Sequence, residues 1–275
     1  MPQPPKNLKD FNSLLQIIAD LRGPGGCPWD KDQTHRSLTP YAIEETHELV
    51  EAIEQGDDDH MREELGDVLF QVVLHSQLAS ERKKFSMTDV IETVSEKLVR
   101  RHPHVFSDTK VSGSGEVVAN WDQIKKLEAA NKDKSGNKNK KAKVIDIPEG
   151  LPALQRASKI GDKTKKVNFD WTEVKSVLTQ LKEEIAELEE AMEESVSPES
   201  FSHMSHEMGD VLFSAAQLSR HLNIEPETSL REANRRFLVR FEKMFEMSGL
   251  SIEAFTALPQ DEKEKIWGQV KKIVP

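Results

Sequence analysis

An internal repeat of acidic motifs constrains this chain more than any other feature. Glu44-Glu45-Thr46-His47-Glu48 precedes Glu64-Leu65-Gly66-Asp67-Val68-Leu69-Phe70, and Glu183-Glu184-Ile185-Ala186-Glu187 precedes Glu207-Met208-Gly209-Asp210-Val211-Leu212-Phe213. Both pairs read EExxE followed by ExGDVLF, with 15 residues between the motifs in the first copy and 19 in the second. The extra residues fall near Ser195-Val196-Ser197-Pro198, which reads as a longer turn between two helices. A chain that carries one supersecondary unit twice is expected to fold as two related domains.

The periodicity around the motifs is helical. Leu8, Phe11, Leu14, Leu15, Ile18 and Leu21 recur at three- and four-residue steps, one apolar stripe of a helix. Further helices are expected over 40–54, 59–80, 88–101 and 116–130, then over 154–166, 172–194, 198–222, 226–248 and 260–273. Leu65, Val68, Leu69, Val72 and Val73 would form the buried face of the third. Alternating, strand-like patterns are nearly absent, so the expected fold class is all-α. Residues 131–143, NKDKSGNKNKKAK, hold six lysines and no apolar residue but Ala142. Such a stretch buries too little surface to offset its ordering entropy. The expected division is a first helical domain at 1–130, a Lys/Asn-rich linker at 131–146 and a second domain at 147–275.

Composition narrows the class of function. The 275 residues hold 38 Lys plus Arg against 48 Asp plus Glu, a net charge of −10. That balance argues against a non-specific nucleic-acid binder, although the lysine run alone would suit one. The single cysteine, Cys27, excludes an intramolecular disulfide. The densest apolar run, Val68 to Leu74, is interrupted by Gln71 and falls far short of the ~20 residues of a membrane span. The start of the chain has no basic segment followed by an apolar one, so a cytoplasmic protein without membrane partners is expected.

Residues three or four apart share a helix face. Glu45 and Glu48 therefore point together, as do Glu64 and Asp67. If the two helices pack antiparallel, these four carboxylates converge, and Glu184, Glu187, Glu207 and Asp210 repeat the arrangement. Converging carboxylates repel one another, and burying them unpaired is costly. A hard divalent cation, Mg²⁺ or else Mn²⁺, resolves the conflict because it takes oxygen ligands. Gly66 and Gly209 suit places where a backbone or a phosphate comes close. Glu44-x-x-His47 has the spacing of a di-iron bundle, but the second copy has Ala186 in place of the histidine.

The order of these motifs resembles the MazG family of nucleoside triphosphate pyrophosphohydrolases. The resemblance runs from Gly25-Gly26-Cys27-Pro28-Trp29-Asp30 to Trp267 and takes in Arg100-Arg101-His102-Pro103-His104-Val105-Phe106 and Asn168-Phe169-Asp170-Trp171. It implies two tandem all-α domains, bundles completed by homodimerisation, and both acidic quartets as Mg²⁺ ligands. The implied reaction is hydrolysis of NTPs and dNTPs to monophosphate and pyrophosphate. Glu183 and Glu184, with Glu44 and Glu45 in the first copy, are the candidate catalytic carboxylates, and sequence does not separate base from ligand. For the nucleotide, the resemblance points to Asn234, Arg235, Arg236, Arg240 and Trp267, with Lys97, Arg100 and Arg101 as the analogous cations of the first copy. Gln180 and His203 stand where the family favours lysine, which puts contacts from those positions in doubt. The competing expectation is a non-catalytic helical module that binds nucleotide or a protein partner.

Overall fold

The computed structural model describes residues 2–134 and 145–274. Every regular element among them is a helix. Contacts divide the chain into two compact units, Met1–Lys138 and Asn139–Pro275. The first holds α1 (Phe11–Arg22), α2 (Pro28–Asp32), α3 (Thr39–Gln55), α4 (Asp58–Glu81), α5 (Met87–Arg101), α6 (Pro103–Phe106) and α7 (Ser114–Lys134). The second holds α8 (Ala153–Lys165), α9 (Val174–Glu193), α10 (Pro198–His221), α11 (Pro226–Ser248), α12 (Ile252–Ala257) and α13 (Gln260–Ile273). Of the expected linker, 131–134 belong to the end of α7, and 135–144 lie outside the described residues.

In the first unit α3 and α4 form a hairpin around a two-residue turn. Gly56 ends α3 at φ 69°, a left-handed conformation that an L side chain adopts only with strain. Asp57 then caps α4, its carboxylate accepting from the amides of Asp59 and His60. Ile18 of α1, Leu38, and Val73, Leu74 and Leu78 of α4 form the core, with Leu14, Leu15, Phe70 and Met87 packed on it. Arg22, at the end of α1, pins this corner: it donates to Glu81 at 2.8 Å and to the carbonyl of Asp30.

The second unit repeats the hairpin with α9 and α10. Its turn, 194–197, is two residues longer, and α10 begins nine residues before Glu207, where α4 begins six before Glu64. The extra length expected in the turn is thus shared with an added stretch at the start of α10. Ser197 caps α10, and Ser200 bonds back to it in a capping box. Beyond the hairpin, Met244, Phe255 and Val270 form a small core that joins α11, α12 and α13.

One expectation about packing is corrected. Of the five residues assigned to the buried face of α4, Val73 is buried, but Leu65, Leu69 and Val72 are 52%, 38% and 40% exposed. The side of α4 that packs against α1 carries Val73, Leu74 and Leu78, and Leu65 and Leu69 point elsewhere. The second unit repeats this: Met208 and Leu212, at the matching positions, are 46% and 51% exposed.

Candidate functional site

Folding α4 back along α3 brings carboxylates together. Glu45, Glu48 and Glu64 offer oxygens that all lie within 4.8 Å of one another. Glu184, Glu187 and Glu207 do the same in the second unit. Glu64 and Glu207 are the deep members, each 7% exposed. Asp67 completes the first group from one turn further along α4, close enough to act electrostatically on Glu45. Asp210 holds the matching position on α10, with His206 3.4 Å from its Oδ2.

The electrostatics are those of a site short of positive charge. Burial, then Asp67 and Glu48, raise the pKa of Glu45, partly offset by a hydrogen bond from Gln71. Burial, then Glu184 and Glu207, raise that of Glu187. The Oε2 of Glu64 is buried with no hydrogen-bond partner. A buried, unpartnered carboxylate oxygen beside two further carboxylates is the donor set a divalent cation requires. The residues therefore fit a metal ion in each unit.

Each deep glutamate also meets a histidine one turn before it. His60 Nε2 lies 3.1 Å from Glu64 Oε1, and His203 Nε2 lies 3.2 Å from Glu207 Oε1. His203 Nδ1 also lies 2.9 Å from Glu194, and that hydrogen bond, followed by the charges of Glu194 and Glu207, holds the His203 pKa above its usual value. His60 was not singled out from the sequence, although the repeat places it in register with His203. Gln180 donates to Glu184 at 2.9 Å. Both positions where the family favours lysine thus touch the acidic cluster of the second unit.

The remaining candidates are dispersed. Glu44 and Glu183 are exposed and stand outside the close clusters. Arg100 and Arg101 both bind Glu128 of α7, at 2.7 and 2.6 Å, and these hydrogen bonds hold the Glu128 pKa down to about 2. Lys97 is half-buried on α5, one turn before Arg101. In the second unit Asn234, Arg235 and Arg236 are exposed on α11. Arg236 pairs with Glu232 at 3.7 Å, and Arg240 donates to the carbonyl of Val274 just past α13. Trp267 packs on Phe237 at 5.2 Å between centroids and lines a cavity of about 360 Å³ with Phe241 and Phe255. A Cβ at Gly66 or Gly209 would meet nothing within 4 Å, so the close approach expected there is not made by the described residues. Among those residues no helix is long and apolar enough to cross a membrane.

Comparison with known proteins agrees with this geometry. The MazG nucleotide pyrophosphohydrolase domain matches twice, at residues 33–106 and 172–245, once over each acidic hairpin. The nucleoside triphosphate pyrophosphohydrolase/pyrophosphatase MazG of Thermotoga maritima is 43% identical over 264 residues, 95% of each chain. The nucleoside triphosphate pyrophosphohydrolase of Escherichia coli K12 is 40% identical over 266 residues, 96% of this chain and 98% of that one.

Proposed function

The chain belongs to the MazG family of nucleotide pyrophosphohydrolases, and from that premise we propose that it hydrolyses NTPs and dNTPs to nucleoside monophosphate and pyrophosphate with Mg²⁺. The observation that carries this reading is the duplicated convergence of carboxylates, with Glu64 Oε2 buried and unpartnered. Glu45, Glu48, Glu64 and Asp67 would hold the cation in the first unit, and Glu184, Glu187, Glu207 and Asp210 in the second. Bound there, it would neutralise the triphosphate and reconcile an anionic substrate with an acidic protein.

The chain's own groups then have defined tasks. Water attacks in line with the pyrophosphate leaving group, so the reaction needs a carboxylate that accepts its proton and a fixed position for the nucleotide. Glu44 or Glu45, and Glu183 or Glu184, are the candidate acceptors. Arg236 suits a phosphate contact in the second unit, because its bond to Glu232 is a solvent-exposed pair that an anion can replace. The exposed rows Leu65–Leu69 and Met208–Leu212 support a homodimer that covers them.

Product analysis with a panel of NTPs and dNTPs tests the reading. Monophosphate plus pyrophosphate, formed with Mg²⁺ or Mn²⁺ and abolished by EDTA, is expected. Full activity in excess chelator would remove the metal from the scheme. Nucleotide binding without turnover would favour the non-catalytic module.

A further inference from the structure

Within the acidic cluster of the second unit, Glu184 is held by a neutral neighbour. Gln180, one turn earlier on α9, donates from its Nε2 to Glu184 Oε1 at 2.9 Å. Glutamines pair with an acid four residues away elsewhere in the chain, as Gln16 does with Asp20 and Gln77 with Glu81, but those bonds are exposed to solvent. Gln180 and Glu184 are both half-buried. Water competes less well for a shielded hydrogen bond, and the lower local dielectric strengthens it.

The bond leaves Glu184 able to coordinate. A carboxylate offers about four lone-pair sites on its two oxygens, so one amide N–H occupies only part of its capacity. Glu184 presents an oxygen within 4.8 Å of oxygens of Glu187 and Glu207. An amide carries no charge, so it orients the carboxylate without cancelling the negative charge that attracts a cation. A glutamate side chain loses rotamer freedom when a cation captures it, and a bond that fixes it beforehand takes that cost out of binding.

The repeat shows which unit this concerns. His60 meets Glu64 and His203 meets Glu207 in the same register, so a histidine beside the deep glutamate is common to both. The amide is not. The register that aligns Glu184 with Glu45 aligns Gln180 with Tyr41, whose ring packs against Trp29 with centroids 5.8 Å apart. We propose that Gln180 is a positioning residue of the second unit, holding the Glu184 carboxylate in the cluster so that the cation site is set before the ion arrives. The proposal rests on the metal reading given above.

The test measures Mn²⁺ binding without nucleotide, by electron paramagnetic resonance of the free ion. It uses the full chain carrying Glu45→Gln and Glu64→Gln, so that the second unit dominates the signal. Gln180→Met keeps the length of the side chain and removes the donor. It is expected to raise the Mn²⁺ dissociation constant about tenfold, with circular dichroism unchanged. Gln180→Ala, made independently, should give the same loss. In a chain that also carries Glu184→Gln, Gln180→Met should change nothing further, because the brace acts through that carboxylate. An unchanged dissociation constant, or an equal loss with and without the Glu184 carboxylate, would overturn the proposal. A loss confined to the affinity for a non-hydrolysable α,β-methylene triphosphate, with Mn²⁺ affinity intact, would make Gln180 a nucleotide contact and overturn it as well. If Glu207→Gln abolishes Mn²⁺ binding while Gln180→Met leaves it intact, the cation site stands and the brace is wrong. If neither substitution alters Mn²⁺ binding, the metal reading of this unit fails together with the proposal.

Discussion

Arg220 grips Asp170 through two hydrogen bonds, Nη1 to Oδ2 at 3.0 Å and Nη2 to Oδ1 at 2.5 Å. Both side chains are 8% exposed, and His221 Nε2 adds a contact to Oδ1 at 3.1 Å. The pair ties the end of α10 to the Asn168–Trp171 loop that follows α8. Burial alone would raise the Asp170 pKa, but the hydrogen bonds from Arg220 and His221 outweigh it and hold the carboxyl below its usual value. A carboxyl depressed in the folded protein contributes stability above its unfolded pKa and loses it as pH falls through the folded one. Asp170→Asn should therefore cost about 3 kcal/mol at neutral pH, with the deficit shrinking below about pH 4 as the unfolded carboxyl takes up its proton while the native one still resists it. Urea denaturation of both proteins from pH 7 to pH 3 reads this directly. A deficit that stays constant across the range would mean that the charge is irrelevant.

The same corner explains a glycine. A Cβ on Gly161 would lie 2.1 Å from Gln217 Oε1 and 2.3 Å from Arg220 Nε. Gln217 has no room to retreat: it is fully buried, donates to the carbonyl of Ala157 at 2.7 Å and accepts from Arg220 at 2.9 Å. Gly161→Ala should destabilise the chain by about 2 kcal/mol or more. At Gly268 of α13, where a Cβ would meet nothing within 4 Å, the same change should be neutral or stabilise by roughly 0.5–1 kcal/mol. Thermal melts should place Gly161→Ala well below the parent and Gly268→Ala at or above it, and matching shifts would refute the packing argument.

What the sequence made legible follows from the length of each signal. α11 and α13 run over the expected 226–248 and 260–273, because both hold periods of several turns and clear end signals, Pro226 and Gly249 for α11 and Pro259 before α13. α2, α6 and α12 were not expected: four to six residues are too few for a period to emerge. For α12 the local cue was Ser251, whose hydroxyl accepts from the amide of Ala254. Leu65 and Leu69 were read as core because periodicity reports an apolar face without saying what covers it. The carboxylates were legible because they recur at fixed spacing in both copies. The part played by Gln180 was not, since one uncharged amide a turn before the motif looks like a solvated helix position until its bond to Glu184 is found.

That uncovered face gives a prediction about assembly. Leu65 and Leu69 on α4, and Met208 and Leu212 on α10, occupy matching positions of the repeat and are all more than a third exposed. A self-complementary interface would bury such rows. Sedimentation should give about twice the 31.2 kDa of one chain. Leu69→Glu combined with Leu212→Glu should shift the protein towards the monomer, since each places a charge in the apolar row. A protein that sediments as a monomer at micromolar concentration before any substitution would end this reading.

The two units should not contribute equally to turnover, and the cations decide which leads. Arg100 and Arg101, the phosphate-binding candidates of the first unit, are both held by Glu128, whose carboxyl they keep ionised down to about pH 2. A substrate phosphate must compete with that carboxylate. Among the described residues Arg236 of the second unit pairs with the exposed Glu232 at 3.7 Å, a pairing that water and salt weaken. Glu207→Gln, which keeps the size of the side chain but removes a charge from the cluster, should lower kcat/KM by orders of magnitude, and Glu64→Gln by less. Glu128→Gln made in the Glu207→Gln chain should then raise the residual activity, because it releases both arginines while leaving the carboxylate clusters untouched. Steady-state hydrolysis of several NTPs, with circular dichroism as the folding control, separates the cases. A larger loss from Glu64→Gln on every substrate would make the first unit the principal site. Unchanged residual activity after Glu128→Gln would show that Arg100 and Arg101 brace α7 and do not bind phosphate.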